Sequence, residues 1–135
     1  MRYKPSLNEF HEITNATAEE RLQYFLTRTI ESEEIWGIGD HKNWLLKEVD
    51  GQRLLSVWPY ESYAEACIVP DSEDTAYDAI SLEQFVYHVL RSMMDQDIQV
   101  EVLPTQTQQG KILPAQDLFN LFEGLMESGE YFLEG

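Results

Sequence analysis

EIWGIGDHKNWLLKEVDGQRLLSVWPYESYAEACIV, residues 34–69, decides the fold, because it reads as adjacent β-prone runs feeding directly into a helix. Asp50-Gly51 suits the positive backbone angles of a two-residue hairpin turn, and apolar, β-prone runs flank it on both sides. That turn pairs Val49 with Gln52, Glu48 with Arg53, Leu46 with Leu55 and Trp44 with Val57, the last three on one face. The apolar pairs look inward, while Glu48 and Arg53 form a cross-strand ion pair worth at most about 1 kcal/mol. Leu45, Val49, Leu54 and Trp58 fall on the other face among Lys47, Gln52 and Ser56, so that face is expected to be only partly covered. Ile35-Trp36-Gly37-Ile38 is a further β-prone run, and the segment from Gly39 to Asn43 returns the chain to Trp44. A three-stranded antiparallel meander is the expected result.

Around this centre the helices announce themselves by caps and periodicity. Thr17-Ala18-Glu19-Glu20 has capping-box spacing, and Leu22, Phe25, Leu26, Thr29 and Ile30 recur at helical spacing to about residue 31. Ser6-Leu7-Asn8-Glu9 repeats the cap signature upstream, ahead of a short helix or a loose arm. Pro59 opens a helix from Tyr60 to Cys67 with Tyr60, Tyr63, Ala64 and Cys67 on its apolar side. Ser81 caps a helix whose stripe is Leu82, Phe85, Val86, Val89, Leu90 and Met93, a packing surface that leaves His88 outside it. Ile98, Val100 and Val102 alternate with Gln99 and Glu101 as in a half-buried strand that Pro104 ends. Lys111-Ile112-Leu113 is a short strand, and Pro114 opens a last helix carrying Leu118, Phe119, Leu121, Phe122, Leu125 and Met126.

These elements give one α+β domain: a mainly antiparallel sheet, the meander plus one or two later strands, with helices packed mostly on one face. Residues 1–16 read as an N-terminal extension, 17–128 as the domain and 129–135 as a tail whose Tyr131, Phe132 and Leu133 fold back or dock elsewhere.

Trp36-Gly37-Ile38, Trp44, Val57-Trp58-Pro59 and Tyr63-Ala64-Glu65 resemble a bacterial domain-of-unknown-function family, number 2750. The resemblance continues through Ile80-Ser81-Leu82-Glu83-Gln84-Phe85 and Val102-Leu103-Pro104-Thr105 to Pro114 and Leu118, roughly residues 17 to 125. It implies a compact α/β domain, and it brings no established activity and no catalytic residues.

The chain of 135 residues carries 25 acidic against 9 basic residues, a formal net charge of −16. Such a surplus argues against nucleic-acid or anionic-membrane binding, which need a basic face, and permits a basic protein partner. It also keeps a protein soluble, as a monomer or a weak homodimer. The start of the chain lacks the apolar run of a signal peptide and no apolar stretch is long enough to span a bilayer, so a cytoplasmic location is expected. Cys67 is the only cysteine, which excludes an intramolecular disulfide.

No nucleophile elbow, phosphate-binding glycine loop, dinucleotide fingerprint or paired-histidine metal motif is present, and no cofactor or metal is expected. His11, His41 and His88 lie on separate elements. The acidic loop from Pro70 supplies Asp71, Glu73, Asp74 and Asp78, without the glycine and terminal glutamate of a calcium loop. Trp36, Trp58, Tyr60, Tyr63 and His41 are the candidate contact residues, since Trp and Tyr join a large apolar body to one polar atom. Trp58, beside the start of the following helix, is the first place to look for a binding groove.

The leading expectation is a non-enzymatic interaction module whose acidic surface meets a basic protein, as an accessory or immunity-type inhibitor of a cationic effector. The alternative is a small-molecule-binding domain or cryptic hydrolase using Trp58, Tyr60 and Tyr63 with His41 or an acidic-loop carboxylate. A mimic of nucleic-acid charge ranks third.

Overall fold

The computed structural model describes residues 3–40, 43–67 and 77–127. The order is α1 (Leu7–Thr14), α2 (Ala18–Ser32), β1 (Glu34–Asp40), β2 (Asn43–Trp44), β3 (Leu46–Val49), β4 (Gln52–Val57), α3 (Glu61–Ala66) and β5 (Tyr77–Ser81). Then come α4 (Leu82–Gln84), a π-helical turn (Phe85–Val89), α5 (Leu90–Gln96), β6 (Gln99–Val102), β7 (Lys111–Pro114) and α6 (Ala115–Glu127). The result is an α+β domain with antiparallel pairing throughout except between β4 and β6.

The hairpin forms in the expected register, Leu46 with Leu55, Glu48 with Arg53 and Val49 with Gln52. Asp50 at φ 51° and Gly51 at φ 82° turn the chain as a left-handed two-residue loop requires. The register stops short of Trp44, which pairs with Gly39 of β1 and not with Val57. The run from Asn43 to Val49 is thus shared, its start with β1 and its end with β4. Gly37 makes this possible: a Cβ there would sit 2.5 Å from the Trp44 indole, so only a bare backbone lets the ring lie over it. Val57 instead pairs in parallel with Val102, and β7 adds antiparallel to β6, giving the order β3-β4-β6-β7.

The other edge of β1 pairs with β5, in the order β2-β1-β5, over a segment read from sequence as the end of a loop. Tyr77, Ala79 and Ile80 pair with Ile38, Trp36 and Ile35, so tertiary pairing overrides the weak local signal of Tyr-Asp-Ala-Ile-Ser. Reciprocal backbone bonds between Trp36 and Trp58, both 2.9 Å, join the two sets of strands.

Leu55, Val57, Val100, Val102 and Leu113 share one face through these registers, and all are buried. Helices α2 and α6 pack over β6 and β7 on the core side. Leu22, Phe25, Leu26 and Ile30 form the buried stripe of α2, and Phe122 of α6 meets both Phe25 and Phe85 edge-on. Thr17 and Glu20 make the reciprocal capping box, and Ser81 caps α4 by accepting from the Gln84 N–H. The helix stripe beyond Ser81 is interrupted by the π-helical turn, which the periodicity did not indicate.

The opposite face holds one correction. Glu101, expected on a solvent-facing side, is fully buried. The chain after β6 folds back over it: Gly110 N–H donates to Glu101 Oε2 at 3.0 Å, Ser56 Oγ donates to Oε1 at 2.9 Å, and Lys47 Nζ lies 2.5 Å away. A buried carboxylate persists because each of these partners compensates its lost hydration.

Candidate functional site

Trp58 is 1% exposed, and its indole N–H donates to the Pro104 carbonyl at 2.9 Å. It therefore stands as a pillar between β4 and the loop after β6, with its one polar atom already used. Cys67 directs its thiol to the same carbonyl at 3.3 Å, and burial pushes that thiol up to about 11, away from thiolate chemistry.

The concave surface lies one step along the chain. A cleft of about 620 Å³ is lined by Tyr60, Glu61, Ser62 and Glu65 of the α3 region, Glu34 and Trp36 of β1, and Ser32, Tyr3 and Lys4. Local structure explains the convergence. Pro59 and the extended Tyr60 bring α3 across the end of β1, while Glu33 at φ 59° closes α2 and turns the chain directly into β1. Ser32, Glu34 and Trp36 thereby come opposite the first turn of α3.

One wall of the cleft is aromatic. Tyr3 packs on Tyr60 with centroids 4.9 Å apart, and Trp36 lies 6.1 Å from Tyr77. Tyr77 donates to Glu65 Oε2 at 2.7 Å, a bond that raises its hydroxyl to about 12 and fixes that carboxylate at the rim. Arg28 reaches the Tyr60 hydroxyl from behind at 3.4 Å. Burial raises Tyr60, with Arg28 opposing it, so the phenol stays neutral across the physiological range. Among the described residues Ser62 Oγ, a buried atom on this lining, has no hydrogen-bond partner. The cleft thus sets the carboxylates of Glu34, Glu61 and Glu65 and its aromatic rings against one lysine, Lys4, and the acidic surplus of that lining suits cationic groups.

Of the residues expected to make contact, Trp36 and Tyr60 come together in this cleft. Tyr63 faces the opposite side of α3, stacked on Phe10 at 5.1 Å, with burial raising its hydroxyl to about 12. Asp78 is half-buried on β5 and accepts from the Ala79 N–H. His41, Asp71, Glu73, Asp74 and the tail from 129 to 135 lie outside the described residues. His11 and His88 are exposed on separate elements. Among the described residues no group of three or more His, Cys, Asp or Glu is placed to hold a metal ion. The sequence reading missed Glu34, Glu61, Glu65 and Ser62. Three of these sit in the stretch Tyr60-Glu-Ser-Tyr-Ala-Glu, where polar residues recur on the side away from Tyr63 and Ala64, and that periodicity is the signal that could have found them.

A second concavity, about 880 Å³, runs between the hairpin and α5 and is lined by Trp44, Leu46, Leu55, Val89 and Met93 among others. It is the more apolar surface and carries none of the carboxylates above.

Fold and cleft together define a small α+β domain with an acidic recess walled by aromatic rings. Its family is shown by comparison: the model for a family described as protein of unknown function (DUF2750) matches residues 22–121, and the chain belongs to that family. No curated protein matches the chain. Among the described residues no helix is long and apolar enough to cross a membrane.

Proposed function

We propose that the protein is a non-enzymatic interaction module of the cytoplasm, and that its cleft receives a basic segment of a protein partner. The cleft carries the reading: Glu34, Glu61 and Glu65 line it together with Tyr3, Tyr60 and Trp36. A guanidinium or ammonium group entering it meets carboxylate acceptors and aromatic rings at once. The net charge of −16 supports the same partner, because a strongly acidic surface accelerates encounter with a cationic protein. That chemistry supports an accessory or immunity-type role, in which the domain covers a cationic surface of an effector.

Calorimetry with arginine-rich peptides tests this. A peptide of alternating arginine and leucine should bind at low salt, its citrulline counterpart should not, and moderate salt should weaken binding as screening requires. The Glu61→Gln/Glu65→Gln chain should lose about tenfold in affinity, roughly 1.4 kcal/mol. Equal binding of the arginine and citrulline peptides would sink the proposal.

A further inference from the structure

We propose that Glu9 and Phe10 of α1 occupy, in cis, a site that the rest of the domain presents for a carboxylate followed by an aromatic ring. A partner segment carrying that pair takes the site when α1 is displaced. The site shares Tyr60 with the cleft, and the proposal does not rest on the ligand proposed there.

The receptor residues are Tyr24 and Arg28 of α2 with Tyr60 and Tyr63 of the α3 region. Glu9 Oε2 lies 3.1 Å from Arg28 Nη2 and accepts from the Tyr24 hydroxyl at 2.6 Å, while Oε1 accepts from Tyr3. The Tyr24 and Tyr63 hydroxyls are 2.9 Å apart, and the Arg28 guanidinium lies 5.1 Å from the Tyr24 ring centroid. Next to this polar corner Phe10 stacks on Tyr63 with an interplanar angle of 13°. A planar cation held by phenols beside a tyrosine face that Phe10 covers is the geometry that recognises a carboxylate with a neighbouring ring.

Three observations separate α1 from the body it sits on. The family match begins at residue 22, so all four receptor residues lie inside it and α1 lies outside. Helix α1 has no buried residue of its own, whereas α2 has Arg21, Leu22, Phe25, Leu26, Thr29 and Ile30. Between them stands an independent anchor: buried Arg21 donates to the Ala16 carbonyl, and Thr17 with Glu20 caps α2. Opening of α1 therefore stops at Ala16, and the start of α2 stays formed. While α1 is docked, its tether gives Glu9 and Phe10 an effective concentration on the order of millimolar, which excludes weaker free segments.

The occupant is a linear segment of another protein with the Glu-Phe chemistry that α1 displays. The direct test uses the full chain and its Glu9→Gln/Phe10→Ala variant, with a labelled peptide of residues 5–15 as the probe, read by fluorescence anisotropy. The variant should bind the peptide at least about tenfold more tightly than the wild type, since the cis competitor is weakened. The E9Q form of the peptide should lose most of that affinity, and so should the variant carrying Arg28→Gln as well. Equal binding by wild type and variant, or indifference to Glu9 in the peptide, overturns the proposal. Should the variant lack a cooperative melt, hydrogen exchange on the wild type decides. Amides of Phe10 to Thr14 should then exchange at least about tenfold faster than those of Leu22 to Ile30, and equal protection of both helices overturns the proposal.

Discussion

Arg21 Nε donates to the Leu103 carbonyl at 2.9 Å, a bond from the first turn of α2 to the loop after β6. Leu103 is fully buried with φ at 53°, a conformation that costs a residue with a side chain about 1 kcal/mol. The same guanidinium donates to Gln108 Oε1 at 2.9 Å and to the Gln109 carbonyl at 2.7 Å. One buried cation thus holds the loop that covers Glu101. Arg21→Met leaves the buried Leu103 carbonyl unpaired, while the exposed Gln108 and Gln109 oxygens turn to water, and should lower stability by about 2 kcal/mol. A urea midpoint shift corresponding to less than about 1 kcal/mol would show that water replaces the guanidinium at little cost.

Glu101 and Lys47 give a separate expectation. Lys47→Met leaves the buried carboxylate without its cation and should cost about 2 kcal/mol, less than a wholly buried pair because the Lys47 side chain is 48% exposed. Adding Glu101→Gln should recover part of that loss, since an amide has no charge to compensate. A double-mutant cycle by chemical denaturation measures the coupling, and strict additivity of the two changes would contradict it.

Gly37→Ala tests the Trp44 packing. The added Cβ, 2.5 Å from the indole, must displace either the ring or β1. Overpacking of this kind costs about 2 kcal/mol and should change the near-ultraviolet circular dichroism of the Trp44 environment. A wild-type spectrum and melting temperature would mean that Trp44 does not lie over Gly37.

Docking of α1 should depend on pH through Glu9. Burial pushes this carboxyl up, and hydrogen bonds from Tyr24 and Tyr3 together with the charge of Arg28 outweigh it, holding it below the usual glutamate range. A lowered value in the docked state means that docking is fully supported above the free glutamate value of about 4.3 and is lost as pH falls through the docked value. The NMR signals of the Phe10 ring, shifted by its stack on Tyr63, should move toward free-helix positions on acidification from pH 7 while α2 signals persist. Undocking as pH rises from 5 to 8 would reverse the sign and contradict the account.

The hairpin, α2, the last helix and the overall class were legible in the sequence because each follows from local rules. Asp50-Gly51 fixes a turn, Thr17 to Glu20 fixes a cap, and apolar spacing fixes the faces of α2 and α6. What the sequence hid depends on residues distant along the chain. Nothing near Tyr77 announces β5, since its strand character comes from pairing with β1. Glu101 reads as a solvent-facing residue of an alternating strand until the loop to Gly110 folds over it. Trp36 and Tyr60 were legible as candidate contact aromatics, but the carboxylates that define the chemistry of the site converge only when α3 crosses the end of β1.

The central claim is that the cleft between β1 and α3 binds a cationic segment. Two-dimensional NMR of the labelled full chain, titrated with the arginine and leucine peptide and then with its citrulline counterpart, tests it most directly. The account predicts that the arginine peptide shifts the Trp36 indole signal and the amides from Glu61 to Glu65, that added salt reverses these shifts, and that the citrulline peptide leaves them unchanged. Shifts confined to Trp44, Leu46 and Met93 in the hairpin groove, or identical shifts with both peptides, would contradict it.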